Sequence, residues 1–290
     1  MNRPINVLLQ TTIEPTSNDW HIGRFSMLQA YLASLRQPEG SPVFNVTARD
    51  RDPIGAPDSV LSALDESVFD ELWLFAVDVG NGLCDEDRAG ILRFRERGGG
   101  LMLTRDHMDL GCSICSLGAV GSAHVFHTHN VGALTPVPDD RGTPQIGWPN
   151  FHSGPNGGVQ RVAAVPPIHP TMRDSNSESG TIQYLPSHPH EGAVVAPASD
   201  GTARVIATGA SQATGNRFNI AVAFEAGQSM GRAIAQSTFH HFVDYNWDPR
   251  RGCPDFVTEA PVYELPNNAK AMASVHQYVQ NVALWLAGRL

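Results

Sequence analysis

Charge is scarce in this 290-residue chain: Asp, Glu, Lys and Arg make up 17% of it, against about 25% in an ordinary soluble domain. Basic residues are the scarcer half, 20 Lys and Arg against 29 Asp and Glu, and they form no cluster. Binding to a phosphate backbone therefore has no electrostatic basis, and nucleic acid is not an expected partner. Long apolar runs are also missing. No stretch approaches the roughly 18 residues that span a bilayer, and even Ile220–Phe224 is soon broken by polar residues or glycine. The opening segment Met1–Thr12 has one basic residue and an apolar part too short for the core of a signal peptide. Four cysteines, Cys84, Cys112, Cys115 and Cys253, are too few for a disulfide framework and suit a reducing compartment. The expectation is a cytoplasmic protein with a small-molecule ligand, no membrane or nucleic-acid partner, and homo-oligomerisation left open.

Glycine and proline are plentiful, at 27 and 21 residues, so the chain is loop-rich but globular. Its first half alternates short apolar runs with helical stripes, the pattern of βα units around a parallel sheet. Strands are expected at Ile5–Gln10, Val43–Val46, Glu71–Val77 and Leu101–Leu103, and helices at Phe25–Leu35, Pro57–Leu64 and Asp85–Arg97, the last stopped by Gly98–Gly100. That glycine triplet precedes a strand and lacks a following Lys-Ser/Thr, so it is a helix stop and not a phosphate loop. From Thr104 to about Asn156 the chain has little periodicity, and so long a connection is usually functional. Beyond it, strands are expected at Gln160–Val165, Thr181–Tyr184, Gly192–Val195, Ala203–Ala207, Asn219–Phe224 and Arg232–Ser237, as an antiparallel extension of the sheet, with a terminal helix at Ala269–Ala287. No linker or repeat forces a boundary, so residues 1–290 read as one α/β domain, mostly parallel, with helices on both faces.

Histidine is the unusual component. His107, His124, His127 and His129 fall within 23 residues, His188 and His190 flank Pro189, and His240 and His241 end an expected strand. Imidazole titrates near neutrality and is the commonest nitrogen ligand of zinc-like ions, so convergence of these side chains implies acid/base chemistry, a divalent metal such as zinc, or both. Asp106, Asp109, Glu191 and Asp244 accompany them. Any one histidine is more often a structural residue; the accumulation is the signal. Cys112-Ser-Ile-Cys115 has the spacing of zinc and redox sites but no matching second pair, and reads as core packing. Asp19, His21 and Arg24 precede a helix start, where backbone N–H groups favour an oxygen-rich ligand; helix capping by Asp19 is the plainer alternative.

The run Leu92–His107, Leu-Arg-Phe-Arg-Glu-Arg-Gly-Gly-Gly-Leu-Met-Leu-Thr-Arg-Asp-His, resembles the trehalose-utilisation (ThuA-like) family, as does Gly231-Arg232 opening a strand that runs to Phe239-His240. Where that family has glycine before the histidine, this chain has Phe239. The segments Ser187–Gly192 and Thr238–Trp247 look like a distinct bacterial subgroup. The resemblance implies a flavodoxin-like, class I glutamine amidotransferase-like fold and a sugar-derived ligand. True glutaminases of that fold carry a nucleophilic cysteine at the strand end that here reads Thr104-Arg105-Asp106-His107, so glutaminase chemistry is not expected.

The expected site joins Asp106 and His107 to a facing His240 as acid/base groups. His21, Arg24, His152, Glu191 and His241 are candidate ligand contacts, and His127, His129, His188 and His190 are candidate metal ligands. Trp148, Trp247 and Tyr245 are candidates for an aromatic wall, or for packing. A metal-dependent hydrolase or isomerase, and a non-catalytic binding or assembly module, are the alternatives.

Overall fold

The computed structural model describes residues 3–137, 139, 143, 145–227 and 230–290. The first apolar run forms β1 (Ile5–Thr11), and a 3-10 turn (Ile22–Phe25) leads into α1 (Ser26–Ser34). There follow β2 (Phe44–Arg49), β3 (Glu71–Phe75), α2 (Asp85–Glu96) and β4 (Gly100–Thr104). Short elements come next: α3 (Gly118–Ser122), β5 (His124–Val125), β6 (Val159–Arg161), β7 (Ala163–Ala164), β8 (Tyr184–Pro186) and β9 (Ala193–Val194). The chain finishes with β10 (Ala203–Ala210), β11 (Arg217–Phe224), β12 (Ala233–Gln236), α4 (Asp244–Trp247) and α5 (Ala269–Leu286).

Eight strands make one sheet in the order β2-β1-β3-β4-β12-β11-β10-β7. From β2 to β12 every pairing is parallel, and β11, β10 and β7 continue it antiparallel. This is the expected mixed α/β sheet. Alternation along β3 assigns the faces: Trp73 and Phe75 join the core beneath α1 and α5, while Leu72 and Leu74 join the core beneath α2 and α3. Buried on both faces, the central strands carry apolar residues almost without interruption. Helix α2 ends as expected: Gly98 takes the left-handed φ of +97°, and Gly99 N–H bonds the Phe94 carbonyl at 2.9 Å.

Three expectations change. The expected helix Pro57–Leu64 is a run of turns closed by a 3-10 turn at Leu64–Glu66. The Asp58 carboxylate accepts the Val60 and Leu61 N–H groups at 2.9 and 2.8 Å and is gripped by Arg49 at 2.7 Å. Helix α2 presses so close that a Cβ on Gly90 would lie 2.1 Å from the Leu61 carbonyl. Second, Gln160–Val165 is divided: β6 pairs with β8 in a separate ribbon, and β7 forms the sheet edge. Third, the strand expected at Thr181–Tyr184 begins only at Tyr184, because Ser274 Oγ on α5 accepts the N–H groups of Gln183 and Tyr184 at 3.2 and 3.0 Å. Among the described residues no helix is long and apolar enough to cross a membrane.

A charge-bearing side chain sits in the core itself. Glu71 on β3 is fully buried, receives the Trp73 indole N–H at 3.0 Å, and leaves its other oxygen without a partner. Burial pushes its carboxyl well above the usual carboxylate range. A carboxyl with a raised native pKa contributes least where the unfolded chain ionises but the native one does not, so stability falls as pH rises from about 4.5 towards the native value. Glu71→Gln, which does not titrate, is expected to gain at least about 1 kcal/mol on wild type between about pH 5 and pH 8, read by urea unfolding. A difference that is flat with pH refutes a protonated native Glu71.

Candidate functional site

In open α/β sheets ligands sit outside the carboxyl ends of the parallel strands. Here that end holds a cavity of about 380 Å³, within the range of about 300–1,000 Å³ for small-molecule sites. Its floor comes from three strand ends and one loop: Val77 and Val79 follow β3, Asp106 and His107 follow β4, His240 follows β12, and His188 and His190 enter from the loop before β9. Asp19, Trp20, Leu110, Ile146, Asn156, Phe256, Val257 and Glu259 complete the wall.

The turn after β4 is tightly constrained. Met108 takes φ +49°, unusual for a residue with a side chain. Its carbonyl accepts the His127 N–H at 3.2 Å and the Arg105 guanidinium. Arg105 is fully buried, lies 4.2 Å above the Phe126 ring, and is pushed down to about 9 by burial. Beside it, Gly192 leaves room that no other residue could: a Cβ there would stand 2.2 Å from Arg105 Nη1 and 2.8 Å from the Asp106 carbonyl.

The Asp106 side chain is buried, and His107 Nδ1 lies 3.1 Å from its Oδ1. Burial alone would push this carboxyl up. The charge and hydrogen bond of His107 outweigh burial and hold it far below the usual range, so Asp106 is ionised. His107 in turn loses basicity to burial but gains more from Asp106, and its pKa is raised. Two further imidazoles face the same carboxylate oxygen, His188 Nε2 at 3.8 Å and His240 Nε2 at 4.0 Å. Their rings stack with centroids 3.4 Å apart at 10°.

A carbonyl fixes which nitrogens carry protons. Ser187 O can only accept, and it takes a hydrogen bond from Asn246 Nδ2 at 2.8 Å. Asn246 Oδ1 therefore points the other way and accepts from His240 Nδ1 at 2.8 Å. The same Nδ2 donates to Asn156 Oδ1 at 2.9 Å, and that oxygen also faces His188 Nδ1 at 2.9 Å, which must donate. Both histidines thus hold their proton on Nδ1 and present a bare Nε2 towards Asp106. Burial drives His188 well below its ordinary value and His240 down to about 4, so neither takes a second proton at neutral pH. His188 Nε2 has no hydrogen-bond partner although it is buried. Ligand atoms of Asp106, His107 and His188 lie within 4.8 Å of one another.

The other expected residues take different places. His190 lines the cavity and bonds Glu259 at 2.9 Å. Glu191 and His241 lie outside the cavity lining in a buried network: Glu191 accepts from Ser153 Oγ and Gln160 Nε2 at 2.5 Å and from Ser237 Oγ at 2.8 Å, and His241 lies 3.4 Å from it. Ser153 Oγ also accepts the His188 N–H at 2.9 Å, so this network anchors the cavity's loop and does not offer ligand contacts. His127 and His129 are exposed and do not line the cavity; His127 Nδ1 lies 2.7 Å from the Trp148 carbonyl. Their loop is pinned instead by Asp109, which accepts from Thr128 N and Oγ1 at 2.9 and 2.8 Å. His21 caps the 3-10 turn through Gly23 N–H at 3.2 Å, and Arg24 bonds the Asp19 carbonyl at 2.8 Å. His152 lies outside the lining, its N–H given to Asp139 at 2.8 Å. Asp244 caps α1 through Met27 N–H at 2.8 Å. Trp247 and Tyr245 are core residues, and Trp148 lines a separate cavity; the aromatic wall is Trp20 and Phe256. Cys112 packs in the core, and burial pushes its thiol up to about 11. Asn156, Asn246, Phe256 and Glu259 were absent from the sequence reading; Asn246 falls inside the quoted segment Thr238–Trp247, which was its only signal.

This sheet and strand-end crevice define an open, mostly parallel α/β fold with an antiparallel extension and helices on both faces. More particularly, the chain has the fold of a ThuA-like protein from Parabacteroides merdae, with a TM-score of 0.57 and 15% identity over 98% of this chain and 90% of that one. A ThuA-like protein from Bacteroides uniformis matches with a TM-score of 0.45 and 11% identity, over 100% of this chain and 92% of that one. The glutaminase domain of Trypanosoma brucei CTPS matches with a TM-score of 0.48 and 13% identity, over 97% and 94%. No protein-family model and no curated protein sequence matches the chain.

The close approach at Gly192 gives a direct check. Gly192→Ala is expected to cost about 1–3 kcal/mol in urea unfolding, as overpacking of a fixed backbone does. An unchanged midpoint means that Arg105 and the Asp106 backbone are free to move, contrary to the packing described.

Proposed function

We propose that the strand-end cavity is a divalent-metal centre of the zinc type, held by Asp106, His188 and His240, and that the protein is a metal-dependent hydrolase or isomerase acting on a small polar ligand. The observation that carries this reading is the pair of bare Nε2 atoms, fixed through Asn246 and Asn156, turned on an ionised carboxylate. His107 compensates the Asp106 oxygen at 3.1 Å, but the two Nε2 lone pairs that face that oxygen carry no proton, and a cation between them and the carboxylate would relieve their repulsion. An ion about 2.0–2.2 Å from each donor spans the observed separations of 3.8 and 4.0 Å. A metal-bound histidine usually gives its other ring N–H to an oxygen acceptor, which orients the ring and fixes its tautomer; here the acceptors are the amide oxygens of Asn246 and Asn156.

Three protein donors leave room towards the cavity for a ligand atom, the arrangement of catalytic and not structural sites. An ion there supplies Lewis-acid polarisation and acidifies water. His107 holds Asp106 in place at 3.1 Å, and His190, paired with Glu259, stands beside the donors with its ring centroid 5.5 Å from that of His188. A sugar derivative is the ligand that the ThuA-like resemblance implies, and the cavity volume admits one. The metal-free alternative rests on one contact, the Asp106–His107 bond, which suits acid/base chemistry.

Elemental analysis and calorimetric titration with zinc separate the readings. The expected result is one ion per chain, lost in His188→Ala and in His240→Ala, with Asn246→Ala weakening binding by about 10–100-fold. Chelation is expected to lower Tm, because an ion bound only to the native state stabilises it. A purified chain that neither carries an ion nor takes up zinc, cobalt or manganese overturns the metal centre in favour of the metal-free pair.

A further inference from the structure

We infer that the ligand of this cavity is uncharged and presents an apolar ring face, and that phosphorylated or carboxylated molecules are excluded; the inference rests on the metal-centre reading above. The polar lining is one-sided. Besides the histidines and Asn156 it offers the carboxylates of Asp19, Asp106 and Glu259, and no lysine or arginine is among the described lining residues. The nearby guanidinium groups are turned to other work: Arg24 bonds the Asp19 carbonyl and lies 5.9 Å from the Trp20 ring centre, and Arg105 is buried against the Met108 carbonyl and Phe126. Phosphate and carboxylate groups are ordinarily held by bidentate arginine or by lysine, neither of which lines this cavity among the described residues. Asp106 already offsets half the charge of a divalent ion, and Glu259, kept low by its bond to His190 despite partial burial, adds a negative charge at the rim.

The remaining wall is apolar. Trp20 stands edge-on to His240 at 4.9 Å, so the aromatic wall meets the proposed donors directly. Phe256 and Val79 also line the cavity while 58% and 77% exposed, which leaves apolar surface at the mouth for a ligand to cover. An apolar body with an uncharged oxygen-bearing head matches both features: the head meets the donors of Asp106, His188 and His240, and the ring lies against Trp20 and Phe256.

Three probes test this on the zinc-loaded protein: acetohydroxamate and benzohydroxamate, both added as the hydroxamic acids that are uncharged at neutral pH, and the anionic phenylphosphonate, each titrated calorimetrically. Benzohydroxamate is expected to bind at least about tenfold more tightly than acetohydroxamate, the gain from burying a ring, and Phe256→Ala is expected to remove most of that gain. Phenylphosphonate is expected to bind at least about tenfold more weakly than benzohydroxamate, and the double variant Asp19→Asn with Glu259→Gln is expected to narrow that gap by about tenfold. Phenylphosphonate binding as tightly as benzohydroxamate, a phenyl ring that adds nothing, or a gap indifferent to the double variant each overturns the inference while leaving the metal centre intact. Failure to take up zinc at all overturns the metal centre and the inference with it.

Discussion

A carboxylate buried at the carboxyl ends of β4 and β12 must be compensated, and the site is organised around that requirement. Removing an ionised group from water costs several kcal/mol unless charge or hydrogen bonds replace the lost hydration. Asp106 is hydrogen-bonded by His107 and faces two more imidazoles that are prevented from donating to it. That prevention traces to a single backbone carbonyl, Ser187 O, through the Asn246 and Asn156 amides. A short chain of polar groups, each with its donor or acceptor role forced by the one before, thus decides what the cavity floor presents.

The fold supplies the rigidity that such a chain needs. Parallel strands β3, β4 and β12 are buried and adjacent, so the residues that follow them emerge side by side at one edge of the sheet. The loop bearing His188 and His190 has no strand to fix it there, and the buried Glu191 network does this instead, tying Ser153, Gln160, Ser237 and His241 together behind the cavity. Both oxygens of the buried Glu191 are engaged in this way, which holds the loop in place. Glu191 and His241, expected among the ligand contacts, lie in this support behind the cavity lining.

What the sequence made legible follows physical range. Strands β1, β3 and β4 and helices α2 and α5 are written in local periodicity and in the Gly98 stop, and each appears where it was read, to within a residue or two. The helix expected at Pro57–Leu64 failed because its side chains are claimed by distant partners, Asp58 by Arg49 and the backbone near Leu61 by α2. In the site, Asp106, His107, His188, His190 and His240 were legible because histidine is rare enough for clustering to be noticed. His127 and His129 clustered equally well and point elsewhere, since proximity in sequence does not fix direction. Asn156 and Asn246 were invisible: an amide becomes significant only once its partner is known, and Asn156 lies 90 residues from Asn246.

Stacking of His188 on His240 bears on the choice between proton chemistry and metal chemistry. With ring centroids 3.4 Å apart, two imidazolium ions would repel strongly in a buried site, so at most one of the pair can be charged. Burial has already lowered both, and the Nδ1 positions are committed to amide oxygens. An acid/base pair needs a group that exchanges its proton easily near neutrality, and these two are held away from that condition. A neutral, rigid, lone-pair-bearing histidine is a poor acid and a weak base at that pH, but it is the form in which imidazole binds a metal. The features that make this pair unsuited to carrying protons are those that suit it to holding an ion, whereas His107, bonded to the Asp106 carboxylate and raised in pKa by it, retains the character of a proton carrier.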